Sequence, residues 1–330
     1  MKIEYSDLAE AQSCLNVIND LQLRFTNGIQ SFGEIKPNEI LWYRNDGKNG
    51  GGRRFEFLNS SFISSASINV SQVHYDHNDN SKITSASALS AIVHPLHSVH
   101  PSLHLHISLM TYQNFEYYWR IMADLNPPIP NNYQTEIFEK IFIELAPDHH
   151  EKAFHNGNQY FYIPSLERHR GVLHFYLEKY KSGNFVEDLR FTEKIGINVI
   201  TTYLSFLNSN KLISKGIDDN IDTKIAYNTL YFFQVVTLDR GTTAGILAHD
   251  QNDIGILGSL PNMINKNLLV SWIPTLLKPQ DLLLERIINV LPNKALITID
   301  NDLKGKFAQI IRKFYLEFPE AHQNQAPMPD

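Results

Sequence analysis

An alternating pattern of apolar and polar side chains runs through residues 103–109. Leu103, Leu105, Ile107 and Leu109 are separated by His104, His106 and Ser108. Because successive side chains of a β-strand point to opposite faces, this pattern predicts a strand with one apolar face and one face that carries histidines. A second alternating run lies at residues 68–73, and we expect strands from residue 53 to about residue 110. Strands with one apolar and one polar face are typical of an antiparallel sheet.

The rest of the chain favours helices beside this sheet. Apolar residues at helical spacing predict an N-terminal helix from a cap at Ser6 to about residue 27. Further helices are expected at residues 133–145, 193–212, 281–290 and 303–318. Short strands are expected at residues 160–163 and 171–180, and a hairpin of two strands at residues 227–245 and 254–260. The predicted fold class is therefore α+β, a large antiparallel β-sheet flanked by helices. We expect a single domain over residues 1–320, followed by a disordered tail at residues 321–330.

Charge and cysteine content exclude several classes of protein. The 330 residues include 29 basic and 35 acidic ones, for a formal net charge of −6, which argues against a nucleic-acid partner. The single cysteine, Cys14, rules out a disulfide framework and a cysteine-rich metal site. The N-terminus has no apolar signal segment, and the longest apolar stretch, residues 268–277, has about half the span of a membrane helix. We therefore expect a cytoplasmic protein without a membrane span.

Histidines are concentrated in residues 94–106, which read HPLHSVHPSLHLH. On a strand, His104 and His106 share one face, and such a pair can bind a metal ion, with His94 adding a third ligand from a neighbouring strand. Alternatively, an imidazole there transfers protons, since its pKa lies near 6.5. A third interpretation is that the histidines only form hydrogen bonds. The residues alone leave all three open.

Two charged turns are further candidates. Asp239 and Arg240 end an apolar run and place a carboxylate beside a guanidinium, where a structural ion pair is the favoured interpretation. The turn at residues 167–171 is basic and either holds a carboxylate or phosphate or is simply solvated.

Taken together, these segments resemble the oxygen-dependent coproporphyrinogen III oxidase family. The motifs occur in the order of that family: Gly50–Arg53; Asn69–His74; Ser90, His94-Pro95 and His104; Asp124–Pro127; Tyr160–Tyr162 with Arg170-Gly171; Asp239–Thr242; and Ser259–Pro261. The resemblance covers about residues 40–265, and a helical extension follows at about residues 280–320.

The resemblance implies a set of site residues. Asp239, His104 and Arg240 are the expected catalytic residues. The expected substrate-binding residues are Ser90, His106, Ser108, Arg170 and Asn252. His94, His104 and His106 are the expected ligands if a divalent or transition metal ion is bound. The family needs no organic cofactor, uses dioxygen as co-substrate and forms a homodimer, here expected through about residues 227–262.

The chain also departs from the family pattern. Where the family has an asparagine and an arginine after the strand histidine, this chain has His106 and Ser108, and a second arginine is replaced near Asn252. The expected reaction is the oxidative decarboxylation of two propionates of coproporphyrinogen III to vinyl groups, a step of heme biosynthesis. The departures leave two alternatives: a paralogue that uses a histidine-bound metal to oxidise or decarboxylate a smaller carboxylic acid, and a binding protein without activity.

Overall fold

The alternation at residues 103–109 corresponds to one strand of a seven-stranded antiparallel sheet. The computed structural model describes residues 1–32, 36–75, 82–114, 116–209 and 220–329. The strands are β1 (Asn38–Tyr43), β2 (Gly50–Leu58), β3 (Ile63–His74), β4 (Ile83–Pro95), β5 (Ser102–Tyr112), β6 (Tyr117–Asn126), the two-residue strands β7 (Tyr162–Ile163) and β8 (Arg168–His169), and β9 (Leu173–Tyr180). The order in the sheet is β1-β2-β3-β4-β5-β6-β9, while β7 and β8 pair separately. The predicted α+β class with a large antiparallel sheet is confirmed.

One face of the sheet is apolar and packs against the first four helices. These are α1 (Ala9–Gln30), α2 (Asn132–Leu145), α3 (His150–Phe161) and α4 (Phe185–Ser209). The core between them contains the apolar members of the alternation in β5, which are fully buried. Helix α1 begins at Ala9 with Leu8 at the cap position, while Ser6 is buried and its N–H donates to Gln72. Residues 210–212 of the helix predicted at residues 193–212 lie outside the described residues.

The other face of the sheet is polar and is partly covered by the C-terminal helices. These are α5 (Ile221–Thr237), α6 (Arg240–Ala248), α7 (Asp253–Ile256), α8 (Lys266–Ser271), α9 (Gln280–Asn289) and α10 (Asn301–Glu317), with a two-stranded sheet of β10 (Met263–Asn265) and β11 (Leu296–Thr298). They share a second apolar core of their own. None of the helices in the described ranges combines the length and the apolarity that crossing a membrane requires.

The predicted hairpin at residues 227–245 and 254–260 is wrong. Residues 227–245 belong to the helices α5 and α6, and residues 253–259 form α7 and a turn of 3₁₀-helix. The reason is that every residue from Tyr227 to Thr237 is buried. A helix that is buried on all sides has no polar face, so its sequence shows no helical period. The same burial means that α5 packs within the chain and not at a surface open to a second copy.

The C-terminal segment is also ordered, contrary to the expected disorder. Residues Pro319–Asn324 form a 3₁₀-helix, and Ala321, Gln325 and Ala326 are buried. Gln325 donates to Thr243, and the Ala326 N–H donates to the carbonyl of Leu238. The alanines and glutamine carry too little apolar surface to predict this docking from sequence.

Candidate active site

The polar face of the sheet brings together side chains from six strands. The register places Arg54 of β2, Asn69 of β3, Ser90 of β4, His106 of β5, Met122 of β6 and Tyr176 of β9 in one row. The neighbouring row runs through His104, Asp124 and His174. Because residues two apart on a strand share a face, both rows point toward the C-terminal helices.

His104 and Asp124 form a hydrogen-bonded pair in the middle of this face. The Nδ1 of His104 donates to Oδ1 of Asp124 over 2.5 Å, while Asn126 donates to Oδ2 over 2.6 Å. The Asp124 side chain is fully buried, whereas that of His104 is 20% exposed. Within the described part of the chain, His104 Nε2 makes no hydrogen bond. The carboxylate thus fixes the imidazole tautomer and leaves Nε2 free to accept a proton.

Arg170 holds the Asp124 carboxylate in its ionised form. The guanidinium donates to Oδ2 of Asp124 and to the side chain of Gln234, each over 2.7 Å. It lies 4.3 Å from the ring centroids of both Phe161 and Tyr231 and is 1% exposed. Burial alone would raise the pKa of Asp124, but Arg170 and then His104 outweigh it and hold that pKa well below its usual range. Arg170, expected to bind substrate, is therefore buried behind Asp124.

His106 lies between two of the other expected residues. Its Nδ1 is 2.8 Å from the hydroxyl of Ser90, and its Nε2 is 3.1 Å from that of Ser108. Desolvation and then the charge of Arg120 lower the pKa of His106 to about 3. His106 is therefore neutral at physiological pH and acts as a hydrogen-bonding group of the polar face.

The pair of Arg120 and Glu178 was not expected from the sequence. Arg120 donates through Nε to Glu178 over 2.6 Å and through a terminal nitrogen over 3.0 Å, and the Tyr176 hydroxyl donates to the same carboxylate. The Arg120 side chain is 25% exposed, whereas that of Glu178 is 1% exposed. The alternation of polar residues along β6 and β9 is the signal that would have placed both on the polar face.

Asp239 lies at the start of α6, near Tyr160. Its Oδ1 caps the helix by accepting the Thr242 N–H over 2.6 Å. The N–H of the preceding residue, Gly241, donates to the Tyr160 hydroxyl. Burial and then the charge of Asp239 raise the pKa of Tyr160. The other oxygen, Oδ2, has no hydrogen-bond partner among the residues described here. It is therefore available to a ligand.

Arg240 and Asn252 point elsewhere. The guanidinium of Arg240 donates to the carbonyls of Ala326 over 3.1 Å and His322 over 2.7 Å, so it binds the C-terminal segment. Asn252 accepts from Arg54 over 3.2 Å at the β2 side of the sheet. Since β2 is three strands from β5, the row position of Arg54 lies roughly 14 Å from that of His106, and Asn252 binds at the Arg54 side. The structure thus gathers His104, His106, Ser90 and Ser108 but leaves Asn252 at a distance.

The expected metal ligands do not fit a metal ion. Both ring nitrogens of His94 are taken, by Ser102 at 3.1 Å and by the Ser259 carbonyl at 2.9 Å. Both nitrogens of His106 face hydroxyls, and His104 has only Nε2 left. Across the described ranges, no group of three or more His, Cys, Asp and Glu side chains could hold a metal ion.

Comparisons with known proteins agree with this architecture. The family model described as coproporphyrinogen III oxidase matches residues 13–272. An oxygen-dependent coproporphyrinogen-III oxidase of Rickettsia akari (strain Hartford) is 25% identical over an alignment of 251 residues that covers 71% of this chain and 87% of the relative. The enzyme of the same name from Rickettsia felis (strain ATCC VR-1525 / URRWXCal2) is 24% identical over an alignment of 291 residues that covers 81% of this chain and 100% of the relative. The chain therefore belongs to the coproporphyrinogen III oxidase family, a family of oxidoreductases.

Proposed function

We propose that this protein catalyses an oxygen-dependent oxidative decarboxylation of propionate groups, with coproporphyrinogen III as its substrate in heme biosynthesis. The observation that supports this most is the His104–Asp124–Arg170 network on the polar face of a family-type sheet. It presents one half-buried imidazole nitrogen, free of protein partners in the described part of the chain, in front of an ionised carboxylate. Such a pair can accept a proton and stabilise the imidazolium that results.

The reaction requires proton transfer at one carbon and electron transfer to dioxygen. Each propionate loses a proton from the carbon next to the pyrrole, carbon dioxide from its carboxylate and two electrons, and a vinyl group forms. Two propionates supply four electrons, which with four protons reduce one dioxygen to two waters. In this scheme, His104 Nε2 accepts the proton of each propionate and returns it to reduced oxygen, and the other two protons come from solvent. The free Oδ2 of Asp239 accepts pyrrole N–H bonds and favours positive charge on the ring.

A second candidate substrate is a smaller carboxylic acid. Each arginine of the polar face is already paired with a carboxylate: Arg54 with Glu56, Arg120 with Glu178 and Arg170 with Asp124. These six groups sum to zero formal charge. A substrate with four carboxylates brings more negative charge to these paired arginines than a substrate with one or two, and is therefore less well compensated.

We also propose that the protein acts as a homodimer. Of the expected interface at about residues 227–262, α5 is buried within the chain, but Ala244, Leu247 and Ala248 of α6 are exposed. An apolar edge of this kind suits a contact with a second copy. Size-exclusion chromatography with light scattering tests this, and a monomer at all concentrations would contradict it.

The test of activity starts with coproporphyrinogen III mixed with the protein under anaerobic conditions. Air is then admitted. We expect the product, protoporphyrinogen, to be detected by the fluorescence of protoporphyrin, its oxidised form. His104→Gln should slow product formation about 10²- to 10⁴-fold. The matched control His155→Gln, at an exposed histidine of α3, should keep the wild-type rate.

The possible outcomes separate the candidates. No product at high protein concentration would refute coproporphyrinogen III as substrate. Carbon dioxide release from a monopyrrole propionate in the same assay would then favour the smaller acid. If neither substrate reacts and Asp239→Asn leaves porphyrin affinity unchanged, the protein is a binding protein and the proposed chemistry is wrong.

A further inference from the structure

A small polar pocket lies at the β1 edge of the sheet. Its volume is about 130 Å³, and two segments line it. The end of β1 and the turn after it supply Trp42, Arg44 and Asn45, and the stretch after α6 supplies His249, Asp250 and Gln251. Because β1 is four strands from β5, Trp42 lies roughly 19 Å from the strand that carries His104. The pocket is therefore separate from the His104–Asp124 pair.

The walls of the pocket are fixed by contacts on both sides. The indole Nε1 of Trp42 donates to the Asn69 side chain over 3.3 Å, and the register partner of Trp42 is Gly52. A Cβ at Gly52 would lie 2.4 Å from that nitrogen, so any other residue would displace the indole. The N–H of Asn45 donates to the side-chain oxygen of Gln251 over 3.2 Å. This bond joins the two segments that line the pocket.

Arg44 supplies a positive charge to the pocket. Its Nη1 donates to the Tyr75 hydroxyl over 2.9 Å, and its Cζ lies 4.6 Å from the centre of the same ring. The three arginines of the polar face each form an ion pair with a carboxylate, whereas Arg44 forms none within the described residues. A guanidinium has five N–H donors. Most of those of Arg44 are therefore available to an acceptor in the pocket.

His249 and Gln251 add two further donors. The Nδ1 of His249 is buried and has no hydrogen-bond partner in the part of the chain that the structure describes. Burial and then the charge of Arg44 lower the pKa of His249 to about 4, so its ring is neutral at physiological pH and can carry its hydrogen on Nδ1. Since the side-chain oxygen of Gln251 accepts the Asn45 N–H, the amide group left over is the NH₂. Three donors thus surround one small volume.

The volume and the surrounding charge restrict the ligand. A volume of 130 Å³ is about four times the share of one water molecule in the liquid, so a group of four or five heavy atoms fits. Asp250 and the C-terminal end of α6, which ends beside His249, contribute negative potential. A single negative charge is therefore favoured over a double one. A planar carboxylate also matches the fork of a guanidinium.

We propose that this pocket binds a carboxylate group, with Arg44, His249 and Gln251 as its donors. The carboxylate belongs either to a small free acid or to an acidic side arm of a larger molecule. The proposal goes beyond the proposed function, and binding at this edge of the sheet is measured without turnover. It can therefore fail while the oxidation assay succeeds, and the reverse.

The test is a titration of the full-length protein with sodium acetate at pH 7 and constant ionic strength. The protein carries ¹⁵N-labelled histidine, and the His249 signals are assigned by their loss in His249→Gln. Acetate should move the Nδ1 signal of His249, in a saturable way, toward that of a nitrogen that carries hydrogen. Arg44→Gln should weaken this binding about tenfold or more, because it removes the charge-assisted bonds. The matched control Arg24→Gln, at an exposed arginine of α1, should bind like the parent protein.

Gln251→Ala, at an exposed position, should weaken acetate binding as well and serves as the second variant if Arg44→Gln does not fold. Displacement of acetate by coproporphyrin III would assign the site to an acidic side arm of a large ligand, and no displacement would assign it to a free acid; both support a carboxylate site. No saturable shift up to about 0.1 M acetate, a hundredfold above a millimolar Kd, would overturn the proposal. So would equal binding by Arg44→Gln, or tighter binding of inorganic phosphate than of acetate.

Discussion

Replacing Asp124 by asparagine tests the central network of the site. The substitution keeps the size and one oxygen of the side chain but removes its charge. Arg170, at 1% exposure, then loses the buried carboxylate to which it donates. Removing one partner of a buried ion pair costs about 3–5 kcal/mol. The remaining amide oxygen and the aromatic rings on either side of the guanidinium retain part of the interaction, so we expect a loss near the lower end, about 3 kcal/mol.

Urea unfolding followed by tryptophan fluorescence measures this loss. With an m-value of about 3 kcal/mol/M, the midpoint should fall by about 1 M. The matched control is Asp302→Asn, which removes the charge of an exposed carboxylate paired with Lys306 in α10, and its midpoint should stay at the wild-type value. A shift of less than about 0.3 M for Asp124→Asn would refute the view that Asp124 supplies the charge that Arg170 requires.

The pH dependence gives a second measure of the same pair. The folded-state pKa of Asp124 is held below the unfolded value of 3.8, so its stabilisation is complete above that value and is lost as the pH falls further. The difference between wild type and Asp124→Asn should therefore shrink as the pH is lowered below about 4. A difference that stays constant from neutral pH to pH 3 would mean that the charge of Asp124 does not cause it. Activity should fall as well, because an amide no longer selects the Nδ1–H tautomer of His104.

Three further predictions concern neighbouring parts of the fold. Burial and then the charge of Lys224 lower the pKa of His94 to about 3, below its unfolded value of 6.5, so stability falls as the pH drops below 6.5. His94→Asn should reduce the loss of unfolding free energy with falling pH by up to about 1.4 kcal/mol per pH unit. Urea unfolding at pH 7 and pH 5 measures this loss, and the same loss in the variant as in the wild type would contradict the prediction. Arg170→Lys should lower the stability although it keeps the charge, because an ammonium does not reproduce the planar guanidinium that donates to two partners and stacks between two rings. A thermal unfolding midpoint equal to that of the wild type would disprove this. Gly157→Ala should cost about 1–3 kcal/mol in denaturant unfolding, since a Cβ there would lie 2.3 Å from the carbonyl oxygen of His174, and a neutral effect would show that α3 can move away from β9.

The sequence predicted those parts of the fold whose local pattern repeats. Alternation in β5 identified the apolar face that packs on α1 and the polar face with His104 and His106. Helical spacing identified α2, α9 and α10. It failed for α5, where complete burial removes the period. It also failed for the C-terminal segment at residues 319–326, whose docking depends on hydrogen bonds to carbonyls that no side-chain pattern records.

The candidate site was predicted in part for the same reason. Ser90, His104, His106 and Ser108 meet because alternation and strand pairing bring them together. The partners of His104 could not be predicted, since Asp124 and Arg170 come from other strands and turns.

The amino-acid sequence by itself determined the antiparallel sheet, its histidine-bearing face and the family to which the chain belongs, because these depend on residue types at short, regular spacing. Only the tertiary structure decided which charges are free to meet a substrate. It pairs the arginines of the polar face with buried carboxylates and directs Arg240 to carbonyls of the C-terminal segment. Whether a charged group binds a ligand or a neighbouring residue depends on distances between segments far apart in the chain, and no local pattern specifies them.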